Sequence, residues 1–407
     1  MNLRICALIS VNLREPYARH FQDTHHHYRE SSNKSCRYPN LFLLKLTNFA
    51  ALRLSFITIL IDTMSQVEKA ILLMNLGSPD STSVPDLKKY LNEFLMDPRV
   101  IDKPASKLLR SILVKGIIVP LRAPKSAEAY KTVWTKDGSP LIVLTDQLKA
   151  ALEKKTDMPV EVCMRYGNPH PKVAMDNLKK KYPLLKEVVL VPLYPHYAWS
   201  SYETAVEYAK DIHQREGYSF KLSIVPPFYN DEDYIHALTE SMRPYVEQNE
   251  FDLFVFSYHG IPERHITARH PAGTHDVHNP EKCCTDKAAQ DVCYRHQVIE
   301  TTKLVAEKLG LPKEKYTISF QSRLGRDPWL QPYTAKSLEG WPEKGYKKVL
   351  LACPAFVSDC LETLEEMGGE GKEIFEHNGG EKFTLIPCMN THPVWVESLL
   401  KLINKVK

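Results

Sequence analysis

From residue 69 onward, short apolar runs alternate along the chain with longer stretches in which apolar positions recur at helical spacing. Some runs, such as EVVLVPLY at 187–194, are continuously apolar, which is typical of strands buried on both faces of a parallel sheet. The runs predict eight strands, at 69–75, 159–165, 187–194, 221–226, 251–257, 316–321, 348–354 and 384–388.

The amphipathic stretches between these runs predict helices. They include 143–155, 171–181, 201–214, 232–248, 296–309, 361–377 and 393–405. Strand–helix alternation is typical of a doubly wound α/β architecture. We therefore expect an α/β fold of two Rossmann-like halves, each with a four-stranded parallel sheet flanked by helices. The polar segment YNDEDY at 229–234 would join the two halves.

The first 63 residues follow a different pattern, with a His- and Ser-rich polar run before an apolar run. Lys45 and Arg53 interrupt the apolar run, so it makes a poor membrane span, and the small-residue cleavage site of a signal peptide is missing. Met64 begins a segment that leads naturally into the first strand. We expect residues 1–63 to be a poorly ordered or non-native extension, produced by a start codon placed too early. An interfacial anchor is the alternative.

Composition narrows the class of protein. Of 407 residues, 43% are hydrophobic and 25% charged, as in soluble globular proteins, and the net charge of +4 gives no broad nucleic-acid footprint. Nine cysteines are scattered singly except for the pair Cys283-Cys284, which favours a reducing, cytoplasmic setting over a secreted disulfide framework. Neither a G-x-G-x-x-G nor a Walker A loop is present, so no nucleotide cofactor is expected.

The carboxyl ends of the predicted strands carry the candidate chemistry, because ligands of such sheets bind at that edge. The residues expected to meet there are Arg165, Tyr166, His196, His259, Arg323, Asp359 and Glu362. Together with nearby aromatic residues they would form a mouth suited to a flat ligand.

His259 ends the buried strand FVFSYH and is followed by Gly260 and Pro262, which turn the chain at that point. An imidazole at a strand end is often a hydrogen-bonded structural group. It is also a general base or metal ligand when its ring is held toward a cleft. Both interpretations stay open from the residues alone.

The segment SDCLETLEE at 358–366 also has two interpretations. Asp359 and Glu362 have the spacing of a capping box at a helix start. The same spacing puts Asp359, Glu362 and Glu366 along one helical face, which would leave a carboxylate for metal or proton chemistry.

Two further segments are ambiguous. Residues 265–296 hold five histidines and three cysteines without a C-x-x-C pair, which favours a solvated loop over a metal site. Residues 110–134 carry an apolar run bounded by basic residues, typical either of a buried helix or of a hydrophobic lip over the pocket that touches a membrane surface.

Taken together, five ordered motifs resemble those of ferrochelatases, the enzymes that insert Fe(II) into a porphyrin at the last step of haem synthesis. The motifs are NLGSPD, FLMDPRVID, SYHGIPERH, TISFQSRLGRDPWLQPYT and DCLETLEEM. The resemblance runs from about Ala70 to the C-terminus and implies the class II chelatase fold, with the active site between two domains. It implies an N-terminal domain at 64–230, a C-terminal domain at 231–390 and a helix at 391–407 that packs on the first domain.

The resemblance also assigns roles. His259 matches the active-site histidine, Glu362 the metal-site glutamate, and Asp359 the aspartate of an acidic path for protons or iron. Arg165 and Tyr166 match a pair that lines the porphyrin pocket, with Arg165 expected to bind a propionate. Further porphyrin contacts are expected from Met74, Leu76 and Arg323.

Departures from the family pattern refine the expectation. Trp199 stands where animal ferrochelatases have a cluster cysteine, and their cysteine-bearing C-terminal extension is missing after LINKVK, so no animal-type [2Fe–2S] cluster is expected. The coproporphyrin-using branch has a tyrosine at the position of Leu76, which favours protoporphyrin IX. The expected partners are therefore protoporphyrin IX and Fe(II), with no tightly bound cofactor and no nucleic acid. The expected location is cytoplasmic, with peripheral contact to the inner face of the membrane left open.

Two other functions remain compatible with the motifs. One is a chelatase for another metal or tetrapyrrole, such as cobalt into a sirohydrochlorin-like ring. The other is a non-enzymatic haem-binding protein of the same fold, which would keep the aromatic pocket without needing the pair His259 and Glu362.

Overall fold

The computed structural model describes residues 66–271, 273, 287–323, 325 and 327–406. The extension predicted at 1–63 lies outside these residues, and so does the pair Cys283-Cys284. Residues Ile61–Lys407 form one compact unit.

Eight strands form two parallel four-stranded sheets, which confirms the predicted α/β class. The strands are β1 (Lys69–Ser78), β2 (Val160–Gly167), β3 (Glu187–Pro192), β4 (Lys221–Ile224), β5 (Leu253–His259), β6 (Tyr316–Gln321), β7 (Lys348–Ala352) and β8 (Lys382–Leu385). The strand orders are β2-β1-β3-β4 and β6-β5-β7-β8, so the two halves repeat one topology. All pairs are parallel, and β1 and β5 are the strands at which the chain reverses its direction across each sheet.

Helices cover both faces of each sheet. In the first half they are α1 (Val84–Met96), α2 (Lys107–Leu113), α3 (Val119–Val133), α4 (Pro140–Glu153), α5 (Pro171–Lys181) and α6 (Thr204–Arg215). Two π-helical segments, Val114–Ile118 and Trp199–Glu203, lead directly into α3 and α6.

The second half has α7 (Glu232–Gln248), α8 (Glu263–Arg269), α9 (Lys287–Gln290), α10 (Tyr294–Lys308), α11 (Thr334–Gly340), α12 (Lys372–His377) and α13 (Pro393–Lys405), with short 3₁₀ turns at Lys313–Lys315 and Pro342–Lys344. A third π-helix, Glu362–Gly371, precedes α12. The single helix predicted at 361–377 is therefore wound in two different ways.

Burial on both faces explains why the strands are continuously apolar. In β1, Ile71 and Leu73 pack in one core, while Ala70 and Leu72 face a second core on the opposite side of the sheet, and all four are fully buried. Alternate side chains of a strand point to opposite faces, so a sheet covered on both sides needs apolar residues at every position.

The C-terminal helix α13 has a strongly amphipathic sequence and buries Trp395 completely. Its indole lies 5.9 Å from the ring of Phe228 and 6.1 Å from that of Tyr234. Glu397 also pairs at 3.1 Å with Lys155, which follows α4 in the first half. The domain boundaries at 64–230, 231–390 and 391–407 remain predictions.

Only the ends of the stretch 265–296 are described, and they are largely helical: α8 extends to Arg269, α9 follows from Lys287 and α10 begins at Tyr294. Residues 272 and 274–286 lie outside the described residues, so the solvated loop stays a prediction there. His265 lies on α8 and is buried, in contact with the ring of Trp199.

Candidate active site

His259 is the last residue of β5, and its ring is fixed by the turn that follows. Nδ1 lies 2.6 Å from the carbonyl oxygen of Gly260. A carbonyl can only accept a hydrogen bond, so Nδ1 carries the proton and Nε2 keeps its lone pair in the neutral ring. Burial lowers the pKa of His259 despite the opposing effect of the Glu362 carboxylate. The imidazole is therefore neutral at pH 7 and able to accept a proton or bind a metal through Nε2.

Gly260 allows this turn because its backbone lies against the neighbouring strand. Its N–H donates to the carbonyl of Gln321 at 2.7 Å. A Cβ at this position would lie 2.9 Å from that same oxygen and 3.2 Å from the ring of Trp329. The backbone carbonyl of His259 in turn accepts a bond from the Tyr294 hydroxyl at 2.8 Å. The imidazole is thus held by bonds to its own turn, to β6 and to α10.

Glu362 opens the third π-helix, just after β7, and its carboxylate interacts electrostatically with His259. The structure therefore brings together the two residues predicted for the metal site, although 103 positions separate them in the sequence. The same carboxylate also acts on Tyr90, Tyr130 and Arg122 of the first half. The charged end of Glu362 thus interacts with groups of both halves.

Two neighbours of Glu362 complete this acidic region. Burial raises the pKa of Glu366 to about 7, although Ser322 donates to its carboxylate through both its N–H and its hydroxyl. Burial, together with the nearby Glu362 carboxylate, raises the pKa of the Cys360 thiol well above its usual value. Near neutral pH, Glu366 is therefore able to gain or lose a proton, and Cys360 is a thiol.

Asp359 is held by internal hydrogen bonds, and the capping interpretation of Asp359 is wrong. Its two carboxylate oxygens accept bonds from the Cys388 N–H, the Thr363 hydroxyl and the Asn390 side-chain amide, at 3.2, 2.9 and 2.7 Å. None of these donors is a backbone N–H of the helix, whose start has no side-chain cap. Asp359 is 5% exposed and ties the π-helix to the segment after β8.

Arg165 and Tyr166, the predicted porphyrin contacts at the end of β2, are joined through a third residue, Asp97. Its Oδ2 accepts bonds from the Arg165 guanidinium, the Tyr166 hydroxyl and the Thr204 hydroxyl, at 2.5, 2.8 and 2.5 Å. Burial would raise the pKa of Asp97, but these bonds and the charge of Arg165 hold it below its usual value. The Arg165 cation is therefore already paired inside the protein.

The remaining predicted contacts lie in different surroundings. Met74 is fully buried in the core between β1 and the helices α5 and α6, so this placement gives no support to a porphyrin contact. Leu76 is half-buried beside the cluster formed by α1 and α3. Arg323 is exposed, with its guanidinium 5.1 Å from the Tyr333 ring centre. His196 is buried between Tyr258 and Tyr294, and burial lowers its pKa to about 3.

Sequence reasoning missed several residues that the fold brings to this site. Asp97 lies in the quoted motif FLMDPRVID, and that motif is the signal that the sequence offers for it. Its bonds to Arg165 and Tyr166 appear only in the folded chain. Tyr90 and Tyr130 are buried on α1 and α3, where they face the Glu362 charge. Their position depends on how the first half packs against the π-helix, which no local pattern reveals.

Other concave surfaces lie away from this site. A cavity of about 510 Å³ is bordered by residues 249–252, and another of about 690 Å³ by Glu339 and α12. Within the described part of the chain, no group of three or more His, Cys, Asp or Glu side chains is arranged to hold a metal ion. The described helices are also all too short or too polar to cross a membrane.

Comparison with known proteins gives one family. A family model described as ferrochelatase matches residues 68–407. The ferrochelatase of Pseudomonas entomophila (strain L48) is 47% identical over 335 residues, covering 82% of this chain and 97% of that protein. The ferrochelatase of Opitutus terrae is 46% identical over 333 residues, with 81% of this chain and 95% of that protein covered.

Solved structures show a more distant similarity. The structure described as SirB from Bacillus subtilis with Fe3+ covers 83% of this chain and 95% of its own, at 12% identity and a TM-score of 0.46. That similarity is too low to support a conclusion about function.

Proposed function

The chain belongs to the ferrochelatase family, and we propose that protoporphyrin IX is the porphyrin into which it inserts Fe(II). Family membership makes the protein an enzyme, a porphyrin metal chelatase of haem synthesis. A purely haem-binding role on the same fold is therefore not favoured.

One observation carries the proposed mechanism: the neutral imidazole at the end of β5 interacts with the carboxylate at the start of the third π-helix. Insertion releases two protons, since the porphyrin loses both pyrrole N–H protons as Fe(II) enters. His259 Nε2, with Nδ1–H bound to Gly260, is the available base for a pyrrole proton. Glu362 supplies the negative charge and oxygen ligand that favour hydrated Fe(II) nearby. This pairing supports His259 and Glu362 as the residues that handle metal and protons.

Glu366 extends this proton path better than Asp359 does. A carboxyl group with a pKa of about 7 can both accept and release a proton at neutral pH. Asp359, by contrast, has both oxygens occupied by internal bonds. We therefore propose that protons leave His259 and Glu362 by a route past Glu366. Asp359 then has a structural role.

The propionates of the porphyrin need cations that are not already paired. Because Arg165 is bonded to Asp97, the exposed Arg122 and Arg323 are better placed to supply them. Arg122 lies on α3 within electrostatic range of Glu362, at the edge of the proposed site. Arg165 and Tyr166 would then support the pocket wall through Asp97 without binding a propionate.

The substrate is tested by metal insertion assays on the full chain with Fe(II) or Zn(II), comparing protoporphyrin IX with coproporphyrin. We expect faster insertion into protoporphyrin IX, because Leu76 leaves an apolar surface where the coproporphyrin branch has a tyrosine. Preference for coproporphyrin would contradict the assigned substrate. Insertion into a sirohydrochlorin-like ring alone would favour the chelatase alternative.

A membrane contact is supported by α2 and the helix after it. Residues 103–127 include six basic residues and no acidic one. Leu108, Leu109, Ile112, Ile117 and Leu121 in this segment are 52–74% exposed. Exposed apolar side chains among cations fit the surface of an anionic bilayer, where both burial and charge contribute. We propose that this segment binds such a membrane peripherally.

The double change Leu109→Ser and Ile112→Ser should reduce co-sedimentation with phosphatidylglycerol vesicles several-fold. The matched control is Val173→Ser with Leu184→Ser, which removes two equally exposed apolar side chains elsewhere, 52% and 55% exposed. Equal vesicle binding by both double variants would show that α2 is not the contact.

A further inference from the structure

The short helix α8 is tied to the first half by ion pairs at both of its ends. Near its start, Arg264 makes a forked contact with Asp102, with N–O distances of 3.2, 3.0 and 2.6 Å. At its end, Arg269 bonds to Glu203. Asp102 and Glu203 both belong to the first half. We call these two ion pairs the α8 clamp.

On the second-half side, the clamp is joined closely to His259. Only Gly260, Ile261 and Pro262 separate His259 from α8. The turn is bonded to the end of β6 through Gly260 and Gln321 at 2.7 Å, and α8 is bonded to the segment after β6 through Glu263 and Pro328 at 3.1 Å. His259 and α8 therefore belong to one firmly bonded piece of the second half.

On the first-half side, the clamp is joined to the residues around Arg165 and Tyr166. Asp102 lies five residues after Asp97, whose carboxylate accepts hydrogen bonds from Arg165 and Tyr166. Glu203 precedes Thr204, which donates to the same Asp97 carboxylate at 2.5 Å. The two carboxylates of the clamp, Asp102 and Glu203, thus belong to the same part of the first half as Arg165 and Tyr166.

The space between the two ion pairs is filled by packed rings. His265 is buried between them, with Nε2 3.5 Å from Asp102 and its ring 5.2 Å from that of Trp199. The Arg269 guanidinium lies 4.7 Å from the Trp199 ring centre. Burial would raise the pKa of Asp102, but the bonds and charge of Arg264 outweigh it and hold the pKa at about 2. The Asp102–Arg264 pair is therefore ionised across the physiological range.

We propose that the α8 clamp sets the separation between His259 and the porphyrin wall of the first half, so that Asp102, Glu203, Arg264 and Arg269 are positioning residues for metal insertion. This inference rests on the proposed function. Its physical basis is that reaction rates depend steeply on placement, with a displacement of about 1 Å costing on the order of 10²-fold. Side chains of the clamp need not touch the porphyrin to have this effect.

The test compares Arg264→Gln, Arg269→Gln and their combination with the unchanged protein. We expect kcat for Zn(II) or Fe(II) insertion to fall about 10-fold in each single variant and further in the double variant, with the porphyrin Kd changed less than about 3-fold. Arg264→Lys should recover part of the rate, because it restores the charge without the forked contact. Asp102→Asn combined with Arg264→Gln should be less than additive, as expected for contacting residues.

Two further readouts separate positioning from simple stability. Metal enters a porphyrin more easily when the ring is bent out of plane, because bending exposes the lone pairs of the pyrrole nitrogens. If the clamp holds the two halves against a bent ring, resonance Raman spectra of the bound porphyrin should show weaker out-of-plane modes in the double variant. The matched control is Arg215→Gln, which breaks an exposed arginine pair with Asp211 inside the first half, 3.2 Å long. Arg215→Gln should leave both kcat and the spectrum unchanged.

The outcomes are distinct. The clamp proposal is overturned if the unchanged protein inserts metal and the double variant inserts it at the same rate. It is also overturned if the double variant loses rate only in proportion to its unfolded fraction. Failure of the unchanged protein to insert metal into any porphyrin would instead overturn the proposed function.

Discussion

His259→Ala is expected to abolish metal insertion while the protein still binds porphyrin. The variant removes the group whose Nε2 is available as a base, and loss of a positioned base typically costs 10²- to 10⁴-fold in rate. Porphyrin affinity should change little, because a ring of that size would contact many side chains besides this one imidazole. Fluorescence quenching gives the porphyrin Kd, and the appearance of the zinc or iron porphyrin gives the rate.

The pH dependence of the insertion rate provides a second test of His259. Burial lowers the pKa of His259, so its imidazole stays neutral below pH 6.5, where a free histidine begins to gain a proton. Protonation of His259 should therefore not slow insertion as pH falls through 6.5, which is measured in a Glu366→Gln variant so that the carboxyl with a pKa of about 7 no longer titrates over the same range. A decline that follows an ordinary histidine pKa would contradict the buried environment.

The control for His259→Ala is His377→Ala, which removes an exposed imidazole at the end of α12. That variant should keep its full rate. Near-normal turnover by His259→Ala, with His377→Ala equally active, would remove His259 from the proposed mechanism and leave it as a structural group at the strand end.

Much of the fold follows from local sequence pattern. Continuous apolar runs located all eight strands, because a sheet covered on both faces admits few polar residues. The strand bounds differ in both directions. β1 extends to Ser78 and β5 to His259, past their predicted ends, whereas β4, β7 and β8 end at Ile224, Ala352 and Leu385, before theirs. Parallel pairing extends the backbone bonds beyond the last buried side chain, and the hydrophobic pattern alone does not record those bonds.

The parts of the site that depend on long-range contacts were not predictable in the same way. The helix at 361–377 has an ordinary apolar period, yet its first part is wound as a π-helix, against which α3 and Gln321 pack. Asp359 looks like a helix cap in sequence, but its partners are Cys388 and Asn390, which lie about thirty residues downstream. The partners that decide each role come from elements distant in the chain.

A residue distant in the chain also decides the role of Arg165, which the sequence predicts to bind a propionate. An arginine at a strand end is a good anion ligand when it is free. The nearby Asp97 carboxylate comes from the segment after α1, 68 residues earlier in the chain. Once folded, the pair is internal, and a buried cation already bonded to a carboxylate gains little from a second one. The exposed position of Arg122, within range of the Glu362 charge, is identifiable only from the assembled structure.

Glu362→Gln is expected to reduce insertion by at least about 10²-fold while leaving the fold intact. Glutamine keeps the shape of the side chain and removes the negative charge that interacts with His259 and with the first half. Without that charge, Fe(II) loses an oxygen ligand and the released protons lose a nearby acceptor. The hydrogen bond that the Gln321 side-chain amide donates to the Glu362 backbone carbonyl, 3.3 Å long, is unaffected because it does not involve the Glu362 side chain.

Glu362→Gln is best judged against Glu373→Gln, which removes an exposed carboxylate on α12 in the same region of the chain. Both variants should melt within a few degrees of the unchanged protein, and only Glu362→Gln should lose rate. The remaining activity of Glu362→Gln should require a higher Fe(II) or Zn(II) concentration for half-saturation, because the carboxylate acts on the metal. A lower melting temperature with an unchanged rate would instead show that Glu362 stabilises the start of the π-helix and takes no part in insertion.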